Sequence, residues 1–318
     1  MTAAATAITA DDVLHGPTDA RRRSNKRIGV ALLFVLPFTL MFLAFYVAPI
    51  IYAIVDSTFA MKSSGLGFGP QQHVFVFLDN YMAALSSPDF QAGLGRLFLF
   101  CLIEVPLMVV TAGVLALLLD TGKTLWPRGF RVIYFMPYGV PGVIATLLWG
   151  FLYIPSTSPV LQGLSRAGID LQPLDSGNVL FAIANISLWL YAGYNMIVLT
   201  AALNSIPTEI YEAARIDRAG EWAMVWRIKL PLIRPSIVLV TLFTIIGTLQ
   251  LFVEPLVLSP LTTAINSTFT PNMAAYNAAF AKNNSSVAAA MAVIVAVIAF
   301  AMSIGFLKIV NRKGSEAW

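Results

Sequence analysis

Charge is what this chain has least of. Only 11% of its 318 residues are Asp, Glu, Lys or Arg, against 58% that are apolar, and the mean hydropathy is +0.77. A water-soluble globular domain carries about 25% charged residues, so a soluble fold is excluded and the bilayer becomes the solvent. Thiols are nearly absent too. The one cysteine, Cys101, lies inside an apolar run, which removes a disulfide framework and a thiolate metal site. His15 and His73 stand alone in polar segments, so a histidine metal site is not expected. The chain lacks a Gly-x-x-x-x-Gly-Lys-Ser/Thr loop and therefore does not bind ATP by a P-loop. The run from Gly65 to Gly69 falls short of a dinucleotide pattern and has no strand before it. Ser/His/Asp and Cys/His constellations are missing, as is a basic groove with interleaved aromatics for nucleic acid.

Long apolar runs are what the chain has in plenty. About 20 apolar residues cross roughly 30 Å of hydrocarbon, and six runs meet that length: 28–55, 94–119, 130–154, 179–203, 236–258 and 285–310. The expectation is an all-α integral membrane protein with six transmembrane helices. Pro37, Pro49, Pro106, Pro137, Pro141, Gly193 and Gly247 interrupt the runs, which membrane helices tolerate when neighbours re-satisfy the freed backbone groups. The first run follows 27 mostly polar residues and has no small-residue cleavage site after it, so it reads as an anchor and not as a cleavable signal.

Basic residues set the orientation. With the N-terminus inside, sixteen of the twenty Lys and Arg fall on the inner side, and only Lys62, Arg96, Arg166 and Lys282 lie outside. The positive-inside rule then puts both termini and the loop 204–235 in the cytoplasm. The net charge of +4 is this bias. Four parts follow: a disordered cytoplasmic tail (1–27), the first span with an external loop (28–93), a core with the loop 204–235 (94–310), and a second cytoplasmic tail (311–318). In the external loop Pro88 and Asp89 suit the first turn of a short helix running towards the second span. The turn-rich segment 155–178 has room for one short amphipathic helix.

The loop 207–235 is the most informative stretch. Pro207 suits a helix start, and Glu209 and Glu212 favour that N-terminal end. Ile210, Ala213, Ala214 and Asp217 fall at i, i+3, i+4 and i+7, a narrow face of small and apolar groups. Gly220 can adopt a left-handed conformation and break the helix. Trp222, Val225 and Trp226 then make a second short apolar face before Pro231 and Pro235. A helix–turn–helix with an Ala-lined face suits a groove in another protein. The competing reading is an interfacial helix pair lying on lipid headgroups, anchored by the two tryptophans.

The sequence Glu212-Ala213-Ala214, Asp217, Ala219, then Ile228, Leu230 and Pro231 resembles the EAA loop of bacterial ABC-importer permeases. Further resemblance runs over roughly residues 30–310. Phe75 to Tyr81 looks like the external segment of sugar-importer permeases, and Phe130, Arg131, Phe135, Pro137, Pro141 and Trp149 like the start of their third span. Trp189, Gly193, Ile206-Pro207 and Phe252-x-Glu254-Pro255 look like their fourth and fifth. The maltose and glycerol-phosphate types are the nearest in pattern. The resemblance implies a type I ABC importer permease fold and a non-enzymatic transport subunit for a sugar. It implies a second permease, an ATPase dimer that binds ATP and Mg in place of any cofactor in this chain, and an external solute-binding protein. Coupling to the ATPase would fall to Glu212, Ala213, Ala214, Asp217, Arg218 and Gly220. One departure stands out, because the family pattern has Gly where this chain has Arg218. Either Gly220 supplies the turn, or position 218 needs no positive φ.

Sugars are held by planar hydrogen-bonding groups and by aromatic faces on their C–H surfaces. Tyr191, Tyr194 and Asn195 in the fourth span, and Thr244, Thr248 and Gln250 in the fifth, offer both. Thr244 and Thr248, at i and i+4, share a helix face. In permeases of the maltose type the sugar contacts come from the middle of these spans, which the motifs align with Tyr191, Tyr194, Thr244 and Thr248. The competing reading makes the Thr and Asn interhelical glue and the aromatics interface anchors. Glu104 and Glu254 are costly in apolar spans. Glu104 is within reach of Arg96 on the same helix, and Glu254 lies close enough to the outer end to be solvated. No Lys or Arg falls mid-span, so a neutral mono- or oligosaccharide is expected over an anionic solute such as glycerol phosphate. A secondary transporter would need inverted repeats or midplane ion-coupling groups, which the sequence does not display.

Overall fold

A computed structural model describes residues 33–63, 71–121 and 124–315, without side-chain detail at 62, 63, 71 and 311–315. The two terminal tails expected at 1–27 and 311–318 fall outside what can be described, apart from the helical backbone of 311–315. Contacts divide the chain into two units at Val55/Asp56. The first contributes helix α1 (Leu33–Asp56) up to its last residue. None of residues 33–55 is buried. One face carries an aromatic ladder, Phe38, Phe42 and Tyr46 at i, i+4 and i+8, with ring centroids 6.2 and 5.6 Å apart.

The second unit opens with an antiparallel hairpin, β1 (Phe59–Ser63) and β2 (Gln71–Phe75), registered Phe59 opposite Phe75. A strand pair was not expected here. It is held at its base by the next helix, α2 (Asp79–Leu85). The Asn80 amide donates to the Ser57 and Phe59 carbonyls at 2.9 and 2.6 Å, and the Ser57 and Tyr81 hydroxyls share a 2.6 Å hydrogen bond. The segment Phe75–Tyr81 is therefore a structural buckle.

Helix α3 (Pro88–Asp120) starts at Ser87, whose hydroxyl caps the Phe90 amide, with Pro88 in its first turn. The short helix expected at Pro88 is thus the beginning of the second span itself. The third span is broken. Helix α4 (Pro127–Phe135) runs into a 3-10 turn, Met136–Gly139, and then into α5 (Gly142–Tyr153) at 99°. Pro141 forces the residue before it out of the helical region, and Val140 is extended at φ −85°, ψ 127°. The short helix expected in 155–178 is α6 (Pro159–Arg166), capped by the Ser158 hydroxyl.

Helix α7 (Val179–Asn204) is the central post. Of its most apolar 18-residue window 56% is buried, against 33% for α3 and 22% for the last span. Ala112 and Ala116 on α3 have no exposed surface and share a cluster with Met196, Leu199 and Leu203 on α7, since small residues let membrane helices approach closely. At the other end Phe100, Ile183, Ile186, Leu190 and Leu249 form a second cluster.

Past α7 come α8 (Thr208–Ile216) and α9 (Glu221–Leu232), then α10 (Arg234–Leu249), bent 68° from α9. The fifth span stops at Leu249, short of the expected 258, and restarts as α11 (Val253–Leu258). The freed carbonyls of Leu249 and Leu251 accept from the Asn272 amide at 3.1 and 3.3 Å. Asn272 belongs to α12 (Pro271–Tyr276), and α13 (Ser285–Ser315) is the last span.

Candidate functional site

The breaks in the third and fifth spans face one cavity of about 540 Å³, within the range of small-molecule sites. All six residues singled out in the fourth and fifth spans, Tyr191, Tyr194, Asn195, Thr244, Thr248 and Gln250, line it. They reach it from different local causes. Gln250 caps the end of α10, outside the helix proper. Thr244 and Thr248 donate their hydroxyl protons to the backbone one turn back, to Val240 and Thr244, at 2.8 and 2.7 Å. With those protons engaged, the two oxygens offer only lone pairs to the cavity. Sequence reasoning missed Tyr138. It sits in the 3-10 break, stacks on Tyr194 at 4.8 Å and 16°, and meets Tyr191 edge-on at 6.2 Å.

Close approach makes that aromatic cluster possible. A side chain at Gly193 would overlap the Tyr134 carbonyl, because a Cβ there would fall on its oxygen. Only glycine at this turn of α7 lets the end of α4 lie against it.

Two acids also line the cavity, Glu104 from α3 and Glu254 from the first turn of α11. The pairing of Glu104 with Arg96 does not occur. Arg96 donates to the Phe269 carbonyl at 2.9 Å and lies 4.8 Å over the Phe269 ring. Glu104 is 2% exposed and, among the described residues, neither carboxylate oxygen has a hydrogen-bond partner. Glu254 is buried as well and not solvated at an interface.

The second candidate region is the loop. Helix α8 ends in a Schellman motif, in which the Ala219 amide donates to the Ala214 carbonyl and the Arg218 amide to the Arg215 carbonyl. That motif demands a left-handed residue at 218, and Arg218 takes it with φ +55°. Both alternatives read from the sequence are therefore corrected. Position 218 does need positive φ, and Gly220, at φ −72° and ψ 165°, is the extended residue that opens α9.

Of the face expected on α8, Ile210, Ala213 and Asp217 are exposed and Ala214 is not. Ala214 is buried and Tyr211 half-buried, so this side turns inward. Glu209, Glu212, Ala213 and Ile216 form the outer face, with Asp217 exposed at the helix end. Tyr211 packs on the cluster around Leu203 and Ile233, which turns the Ala214 side of the helix inward. Trp222 and Trp226 stay exposed and stack at 6.2 Å.

Beneath the loop lies an ion pair that the sequence did not announce. Lys229 meets Asp120 at 2.6 Å, with the two side chains 7% and 14% exposed. The Lys229 ammonium also lies 5.5 Å over the Tyr211 ring. Burial, and then the Asp120 charge, push the Tyr211 phenol pKa up. Arg234 donates to the Val310 carbonyl at 3.0 Å and ties the start of α10 to the last span. Among the described residues, no cluster of His, Cys, Asp and Glu could hold a metal ion.

A family described as "Binding-protein-dependent transport system inner membrane component" matches residues 19–313. The chain belongs to that family. It is an inner-membrane transport subunit and not an enzyme. It is 31% identical to the lactose transport system permease protein LacF of Rhizobium radiobacter, over 70% of this chain and 73% of that one. It is also 31% identical to the sn-glycerol-3-phosphate transport system permease protein UgpA of Agrobacterium fabrum, over 64% and 68%. A crystal structure of a bacterial ABC transporter that imports the acidic polysaccharide alginate has a chain of the same fold. The TM-score is 0.78 at 23% identity, with 92% of this chain and 99% of that one covered. The permease fold expected from the EAA-type loop is thus the fold observed.

Proposed function

We propose that this subunit forms half of the translocation pathway of an ATP-driven importer for a sugar-like solute without negative charge. A second permease supplies the other half, and an external binding protein delivers the solute. A separate ATPase dimer, holding ATP and Mg, docks on the outer face of α8 from the cytoplasm. The supporting observation is the cavity itself, where stacked tyrosines stand beside the Thr244 and Thr248 oxygens and the Asn195 and Gln250 amides. Aromatic faces and planar hydrogen-bonding groups suit a saccharide. Two relatives pull in different directions, since one is named for lactose and the other for glycerol phosphate. The wall favours the first. Among the described residues that line the cavity there is no Lys, Arg or His, and there are two acids, which repel a phosphorylated solute.

The test is uptake into proteoliposomes by the complete importer with its binding protein. Tyr194→Ala and Thr248→Val are expected to abolish sugar uptake while basal ATPase activity persists. Uptake of a phosphorylated solute with neutral sugars ignored would overturn the reading.

A further inference from the structure

Glu104 is a buried carboxylate in the cavity wall with no hydrogen-bond partner among the described residues. Its residue is 2% exposed, and neither Oε makes a hydrogen bond to a described residue. An uncompensated acid in hydrocarbon is costly, and such residues are retained for a ligand or an ion. Arg96 on the same helix is engaged elsewhere, with the Phe269 carbonyl and ring. Part of the wall shares this bias, beside the tyrosine hydroxyls and the Asn195 and Gln250 amides, which can also donate. Thr244 and Thr248 have given their protons to the backbone and can only accept, and Glu254 adds a second acid. An unpartnered acid beside two acceptor-only hydroxyls, with no cation among the wall's described residues, is complementary to a group that only donates. A primary ammonium is such a group, with three donors, a positive charge and no lone pair.

The geometry points to Glu104 as the binding site for a primary ammonium group on the transported solute, which makes an amino sugar the class this cavity selects. The inference rests on the sugar reading above and narrows it. Glu104 supplies the counter-charge, Glu254 strengthens the negative potential, and the tyrosine cluster takes the ring face.

The test is direct binding to the purified importer complex without its external binding protein, so that the protein's own selectivity does not enter. Isothermal titration would compare glucosamine with glucose, and with N-acetylglucosamine, which keeps the nitrogen and loses the charge. The wild-type complex is expected to bind glucosamine about tenfold or more tightly than either neutral sugar, as a charge-assisted contact in a dry site allows. Glu104→Gln keeps the shape and removes the charge, so that the preference collapses to near unity while glucose affinity holds. Glu254→Gln should reduce the preference without erasing it. Melting temperatures of both variants check that the complex stays folded. Equal affinity for all three sugars, or a preference that survives in Glu104→Gln, overturns the inference. If neutral sugars bind in a Tyr194-dependent way without amine preference, only this inference fails. If no sugar binds, the sugar reading fails with it.

Discussion

At the scale of single residues, the most informative outlier is Arg218. A left-handed conformation costs an L-residue about 1 kcal/mol or more, and glycine is the usual occupant of this helix-end position. Here the hydrogen bonds of Ala219 and Arg218 to the last turn of α8 hold an arginine there instead. Arg218→Gly is therefore expected to stabilise the loop by about 1 kcal/mol. Gly220→Val should be mild, because the backbone is extended and no atom lies within 4 Å of where its Cβ would go. Its cost should stay under about 1 kcal/mol, the usual scale of a poor N-cap. Hydrogen exchange of the amides of residues 214–219 measures both effects. Faster exchange in Arg218→Gly, or loss of the loop in Gly220→Val, would mean that the turn is set by something other than φ. The strain is stored on the exposed side of the loop, where the guanidinium is free to meet another chain.

At the scale of elements, the broken third span and the glycine opposite it act together. Val140-Pro141 turns the chain by 99°, the turn puts Tyr138 against Tyr194, and Gly193 lets the end of α4 come close enough for that stack. Gly193→Ala would bring a methyl onto the Tyr134 carbonyl and must push α4 away. The expected result is loss of solute uptake with normal membrane insertion, read by transport assay beside a protease-accessibility map. Normal uptake would show that the Tyr138–Tyr194 stack is dispensable. Much of this layer was legible in the sequence. The second, fourth and last spans follow from run length, and the six polar and aromatic positions in the fourth and fifth spans meet in one cavity. The breaks at Val140 and at 250–252 were not legible, because the 130–154 and 236–258 runs are long enough to read as unbroken spans. Pro141 and Gly193 marked the places, but not the angle. Tyr138 escaped notice because its role exists only once the helix is broken. The hairpin was invisible since its second strand, Gln71 to Phe75, begins polar on both faces. The turn at Arg218 was misjudged because residue preference names glycine, while the hydrogen-bond pattern, not the residue type, sets the backbone.

At the scale of the whole molecule, large apolar side chains are exposed along nearly every span, as expected for a subunit surrounded by lipid and by other membrane chains. On the proposed function, force passes from the loop 207–235 to the cavity, and this chain offers two routes for it. Helix α8 rests on α7 through Tyr211, and α9 is pinned to the end of α3 by Lys229–Asp120. Helix α3 carries Glu104 in the cavity wall, and α7 carries Tyr191, Tyr194 and Asn195. A push on the loop therefore reaches both walls through rigid helices. Docking and transmission can be separated by two substitutions. Ala213 is exposed on the outer face, so Ala213→Trp adds bulk where an ATPase groove would close on it and leaves the fold alone. It should abolish transport and solute-stimulated ATPase activity, and the ATPase should no longer co-purify. Lys229→Met acts beneath the surface. It leaves Asp120 without its partner, a penalty of up to about 3 kcal/mol, less here because that carboxylate is still 14% exposed. Its complex should keep the ATPase bound and hydrolysing while transport falls, and Asp120→Asn in the same chain should restore part of the loss. Wild-type transport in Ala213→Trp would rule out α8 as the docking helix, whereas loss of ATPase binding in Lys229→Met would merge the two roles that the structure keeps apart.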